Sequence, residues 1–97
     1  MASPSFHPEA STEYADAIAW YQARSVRAAA RFEMAVERML ELIAANPESF
    51  PAFDDEHRFA VLRRYPYSLV YRVDPGQVFV IAVAHTSRPA GYWAGRT

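Results

Sequence analysis

The fold class that this 97-residue chain predicts is α+β, an N-terminal helical hairpin packed on a C-terminal antiparallel sheet of three to four strands. Three observations predict it. As far as Ile43, apolar residues recur at three- and four-residue spacing, the period of an amphipathic helix. From Val61 onward the period becomes two, that of a strand. Between the two regimes, residues 47–56 hold Pro47, Pro51 and the acidic run Asp54-Asp55-Glu56, which reads as a surface loop delivering the chain to the sheet. With 52% hydrophobic residues the chain has material for one core, so residues 1–97 are expected to form one domain.

Each element follows from its residues. Ser3-Pro4-Ser5-Phe6-His7-Pro8 is bounded by prolines and allows at most a brief edge strand. Pro8-Glu9-Ala10 is a helix start, with proline tolerated in the first turn and an acid near the positive end of the helix dipole. Tyr14, Ala17, Ile18 and Tyr21 form its apolar stripe, with Glu13 and Asp16 expected to face away, and the helix runs to about Ala23. Arg24-Ser25 interrupts the pattern. A second stripe through Ala29, Phe32, Val36, Met39, Leu40 and Ile43 ends at Asn46-Pro47, where proline prevents continuation. Two such helices with a tight link make an antiparallel hairpin.

Strands are expected over residues 59–65, 67–73 and 78–85. Asp74-Pro75-Gly76-Gln77 between the last two is a turn, with proline presetting φ and glycine taking the positive φ of a type II turn. In the last strand Val78, Val80, Ala82 and Ala84 share one face, while Phe79, Ile81 and Val83 make the other apolar too, so this strand is expected to be central and buried. His85 stands at its exit, on the face of Phe79 and Ile81. As neighbours in a strand, Arg63 and Arg64 are expected on opposite sides.

Composition narrows the chemistry. The net charge is −1, but residues 1–56 carry four arginines and ten acids (−6), while residues 57–97 carry six arginines and Asp74 alone (+5). Strands gathered in one sheet would therefore present a positive surface on a near-neutral protein. All ten basic residues are arginine. Its planar fork suits phosphate and carboxylate better than lysine does, although such usage also follows from genome composition. Without cysteine there are no disulfides or thiolate sites, and His7, His57 and His85 have no metal-ligand spacing, so neither a metal nor another cofactor is expected. No apolar run reaches eighteen residues and Met1-Ala2-Ser3-Pro4 lacks the flank and core of a signal peptide, so a soluble, cytoplasmic chain without membrane contact is expected.

Taken together, Phe6-His7-Pro8-Glu9-Ala10, Ala17-Ile18-Ala19-Trp20-Tyr21, Phe32, Ala44-Ala45-Asn46-Pro47, Leu62-Arg63-Arg64-Tyr65-Pro66-Tyr67, Tyr71-Arg72-Val73 and Ala82-Val83-Ala84-His85 resemble the RelE/ParE superfamily of type II toxin–antitoxin toxins, also called plasmid stabilisation proteins. The resemblance runs from Phe6 to Arg96 in the family's element order. It implies growth inhibition and neutralisation by a cognate antitoxin whose C-terminal segment wraps the toxin. It also implies one of two targets. ParE-like members poison DNA gyrase without chemistry of their own, whereas RelE-like members cut mRNA on translating ribosomes, and one scaffold serves both. The ParE-like branch is the first reading, the ribonuclease the second, and a degenerate toxin that only binds its antitoxin the third.

Cleaving RNA with its own 2′-hydroxyl needs a base, a cation for the phosphorane charge and an acid for the leaving oxygen. On the nuclease reading His85, Arg63 or Arg64, Arg88 and Tyr92 fill these roles. His85 equally suits a capped strand end, and Trp93 an aromatic anchor. The departure from the RelE pattern is plain: the chain has no lysine, and Thr86-Ser87 follow His85 where RelE-like members place a basic residue. On the binding reading Arg58, Arg63, Arg72 and Trp93 meet antitoxin or target, with an acidic or amphipathic partner segment suiting the positive half.

Overall fold

The computed structural model describes residues 4–97; residues 1–3, part of the stretch read for a signal peptide, lie outside the described residues. Strand β1 (Ser5–Phe6) leads into helices α1 (Pro8–Gln22) and α2 (Val26–Ala45), and then come β2 (Arg58–Leu62), β3 (Tyr67–Asp74) and β4 (Gln77–His85). This is the α+β arrangement expected, with helices first and sheet second.

Local chemistry sets the helix ends. His7 accepts the Glu9 N–H on Nδ1 at 3.0 Å and Pro8 occupies the first turn, which together start α1. Ser25 is the break between the helices because its Oγ accepts the Ala28 N–H at 3.2 Å as the N-cap of α2. Asn46 caps the far end and Pro47 opens a short 3-10 turn. The hairpin then buries Ala10, Ala17, Phe32, Val36 and Ile43 against Leu62, Leu69, Tyr71, Val78, Val80 and Val83 of the sheet. Tyr71 is fully buried, and its hydroxyl donates to the Pro47 carbonyl.

The sheet order is β1-β4-β3-β2, so β4 is flanked on both sides over only part of its length. β2, β3 and β4 pair antiparallel, but β1 pairs parallel with β4, so the sheet is mixed. Gly76 has φ +72° in the β3–β4 turn, as expected from Asp74-Pro75-Gly76-Gln77.

Two expectations need correction. β2 stops at Leu62, and residues 63–66 form a turn in which the Tyr65 N–H returns to the Leu62 carbonyl at 3.1 Å. Pro66 has no N–H to extend a ladder, so Arg63 and Arg64 are turn residues, both exposed, and strand alternation does not apply to them. Alternation also fails within β4. Val70 pairs with Ala82 and Tyr71 with Val80, leaving Ile81 as an extra residue, a β-bulge. Val83 thus joins Val78 and Val80 on the helix side, while Ile81 and Ala82 both pack on the reverse face with Val70 and Trp93. His85 ends the strand, where its ring meets Tyr67 edge-on at 5.1 Å and it also borders the reverse face of the sheet.

Candidate functional site

The residues proposed for one nuclease centre occupy two separate places. His85, Arg88 and Tyr92 border a shallow cleft of about 240 Å³ on the reverse face of the sheet, with Ser68 and Phe59 beside them. Arg63 and Arg64 border a different groove, between α2 and β2. In the cleft, His85 Nδ1 is held as an acceptor. The Ser87 backbone N–H can only donate and lies 3.0 Å from it, with Ser87 Oγ at 2.8 Å. A neutral ring therefore carries its proton on Nε2, which is then a donor. The Arg88 guanidinium lies over the Tyr92 ring, 4.0 Å from its centre.

Tyr92 is held from behind by residues that sequence reasoning assigned elsewhere or passed over. Glu13, expected to face away from the core, instead accepts from the Tyr92 hydroxyl at 2.6 Å, from two Arg96 nitrogens at 2.9 Å each, and from the Val83 N–H at 3.0 Å. Arg96 also donates to the Ile81 carbonyl at 3.0 Å. The pair is largely shielded, with Glu13 at 16% and Arg96 at 10% side-chain exposure. Burial opposes the Glu13 charge, yet the bonds from Arg96, Tyr92 and Val83 outweigh it and hold the carboxyl below its ordinary range. The Tyr92 hydroxyl is pushed up to about 12 by burial, then by its bond to Glu13 and that charge. Glu13 and Arg96 lie 83 positions apart, so no local spacing announces the pair.

The α2–β2 groove, of about 520 Å³, has an apolar floor and a cationic rim. Met34, Leu42 and Val61 are more than half exposed there. Arg31, Arg38, Arg63 and Arg64 surround them, and among the described residues no carboxylate lies within ion-pair distance of these four. Arg31 and Arg38 were not singled out by sequence, because they belong to the half with net negative charge; their one-face spacing with Met34 and Leu42 was the available signal.

The remaining binding candidates are engaged internally. Arg58 donates to the Phe50 carbonyl at 2.7 Å, and Arg72 forms a two-pronged pair with Asp74 at 2.7 and 3.1 Å. Both line a mixed-charge cleft beside Asp54, Asp55 and Glu56. Trp93 is 3% exposed, with its ring against Phe53 and His57, so it anchors the C-terminal segment to the sheet. Among the described residues no group of histidines and acids is arranged to hold a metal ion, and no helix is long and apolar enough to cross a membrane.

Comparison with known proteins gives one family. Residues 5–90 match the family described as the ParE toxin of type II toxin-antitoxin system, parDE; Tyr92, Trp93 and Arg96 lie beyond the matched stretch. No curated protein matches the chain. The match covers most of the sequence and agrees with the helices-then-sheet order, so the chain belongs to the ParE toxin family, within the RelE/ParE superfamily of type II toxin–antitoxin toxins.

Proposed function

We propose that this toxin arrests growth by binding a macromolecular target, DNA gyrase, and that a cognate antitoxin neutralises it. The observation that carries binding over cleavage is the dispersal of the nuclease candidates: Arg63 and Arg64 lie in the α2–β2 groove, away from the cleft of His85, Arg88 and Tyr92. Two further features of the cleft support it. His85 presents an Nε2 donor in place of a free base, and the Tyr92 hydroxyl is already given to Glu13.

The two surfaces divide the work. The α2–β2 groove, apolar with four arginines that have no carboxylate partner among the described residues, suits an amphipathic segment carrying carboxylates and is the surface assigned to the antitoxin. On this assignment Arg63 keeps its binding role, whereas Arg58, Arg72 and Trp93 act by supporting the sheet and the C-terminal segment. The cleft with Arg88 is the surface assigned to the target. In a purified system the toxin is expected to abolish DNA supercoiling by gyrase, with activity restored by antitoxin, and to leave mRNA intact on translating ribosomes. Antitoxin-sensitive mRNA cuts would replace this reading with the ribonuclease. A chain that binds antitoxin yet never arrests growth would replace it with a partner-binding remnant.

A further inference from the structure

β4 has an incomplete neighbour. β1 pairs with it only at Phe79 and Val80, after which the chain turns away through His7, whose N–H donates to the Val80 carbonyl at 2.8 Å. In a regular strand consecutive carbonyls point to opposite edges. The bulge at Ile81 breaks that rule, so the Ile81 carbonyl and the Val83 N–H also emerge along the β1 side. An open edge of this kind, at residues as buried as Ile81 and Val83, needs partners for both groups. Arg96 supplies the donor and Glu13 the acceptor. The two side chains thus stand in for a missing strand, and their mutual ion pair ties the C-terminal segment to α1. The same Glu13 carboxylate fixes Tyr92, whose ring carries Arg88 at the mouth of the cleft.

We infer that Glu13 is a positioning residue: together with Arg96 it latches residues 87–96 across the open edge of β4 and so places Arg88 and Tyr92 for target contact. The last clause rests on the reading above that the C-terminal cleft meets the target. An ordinary ion pair needs only opposite charges, whereas this latch needs an acceptor at position 13 for Val83 and a donor at position 96 for Ile81.

Three forms separate the possibilities. Glu13→Gln keeps the shape but removes the charge, leaves one acceptor oxygen where two served Val83, Tyr92 and Arg96, and turns the other into a donor toward the Arg96 guanidinium, which can only donate. The exchanged pair Glu13→Arg with Arg96→Glu keeps the charges but inverts donor and acceptor toward β4. The wild-type chain is the reference. Amide hydrogen exchange at Val83 is expected to speed up about tenfold or more in both variants, while Leu69 in the sheet interior keeps its protection. Growth arrest in Glu13→Gln is expected to weaken about tenfold, scored as surviving cells, with antitoxin co-purification unchanged. Unchanged Val83 exchange, joint loss at Val83 and Leu69, or restored Val83 protection in the exchanged pair would each overturn the latch. Full arrest by Glu13→Gln with a freed Val83 would overturn the positioning role. A wild-type chain that does not arrest growth would overturn the target reading instead, and the exchange result would still decide the latch.

Discussion

At the scale of single residues, a carboxylate that is only 16% exposed stays charged because four donors converge on it. The sign of its pH dependence follows. Folding lowers the Glu13 pKa below its ordinary 4.5, so its contribution is present above that value and lost as pH falls through the folded one. Folding raises the Tyr92 pKa from 10.0 to about 12, so its contribution is full below 10.0 and is lost as pH climbs through the folded value. The C-terminal segment is therefore expected to stay docked from about pH 5 to about pH 10 and to loosen on either side. Trp93, buried within that segment, reports it: its fluorescence should hold steady across this window and shift red outside it. A transition centred near neutral pH would mean that a histidine controls the segment and would sink the assignment.

Among the elements, those built from repeating local pattern were legible in the sequence and those built from long-range contact were not. The helix stripes, the Ser25 break, the Asn46-Pro47 stop and the Pro75-Gly76 turn all follow from spacing or from one residue's backbone preference. The Ile81 bulge has no such signature, since Val78 to Val83 is apolar throughout and alternation cannot register one extra residue there. Missing it placed Val83 on the wrong face. The same limit hid the C-terminal segment, which folds as successive turns closed by Tyr92, Ala94 and Arg96 N–H groups and is held by Trp93 and Arg96 against distant partners. The two tryptophans test this division. Trp93→Ala removes a buried anchor and is expected to cost about 3–5 kcal/mol in chemical denaturation. Trp20 is 51% exposed beneath Arg24, and Trp20→Ala should cost less than about 1 kcal/mol. Equal costs would mean that the C-terminal segment contributes little to the fold.

At the scale of the whole molecule, the charge division along the chain does not carry over to the surface. Residues 1–56 are net −6, yet they supply Arg31 and Arg38 to the cationic groove, while residues 57–97, net +5, supply Arg63 and Arg64. Helix α2 brings the two halves together by lying beside β2, the edge strand opposite β1. The groove and the latch consequently sit at opposite edges of the sheet, and a change in one should leave the other intact. Four arginines on one apolar groove create a local positive potential that steers an acidic partner during approach, more than it strengthens the final complex. Arg31→Glu with Arg38→Glu, both at exposed helix positions, is therefore expected to slow antitoxin association about 10- to 100-fold at low salt, with a smaller effect on dissociation. Added salt should slow the wild-type association and narrow the gap between the two proteins, because it screens the field that the substitutions reverse. Association kinetics by surface plasmon resonance at two ionic strengths checks this. A double variant that associates as fast as wild type at low salt would place the antitoxin elsewhere on the toxin, whereas a wild-type chain that fails to bind any antitoxin would remove the partner itself.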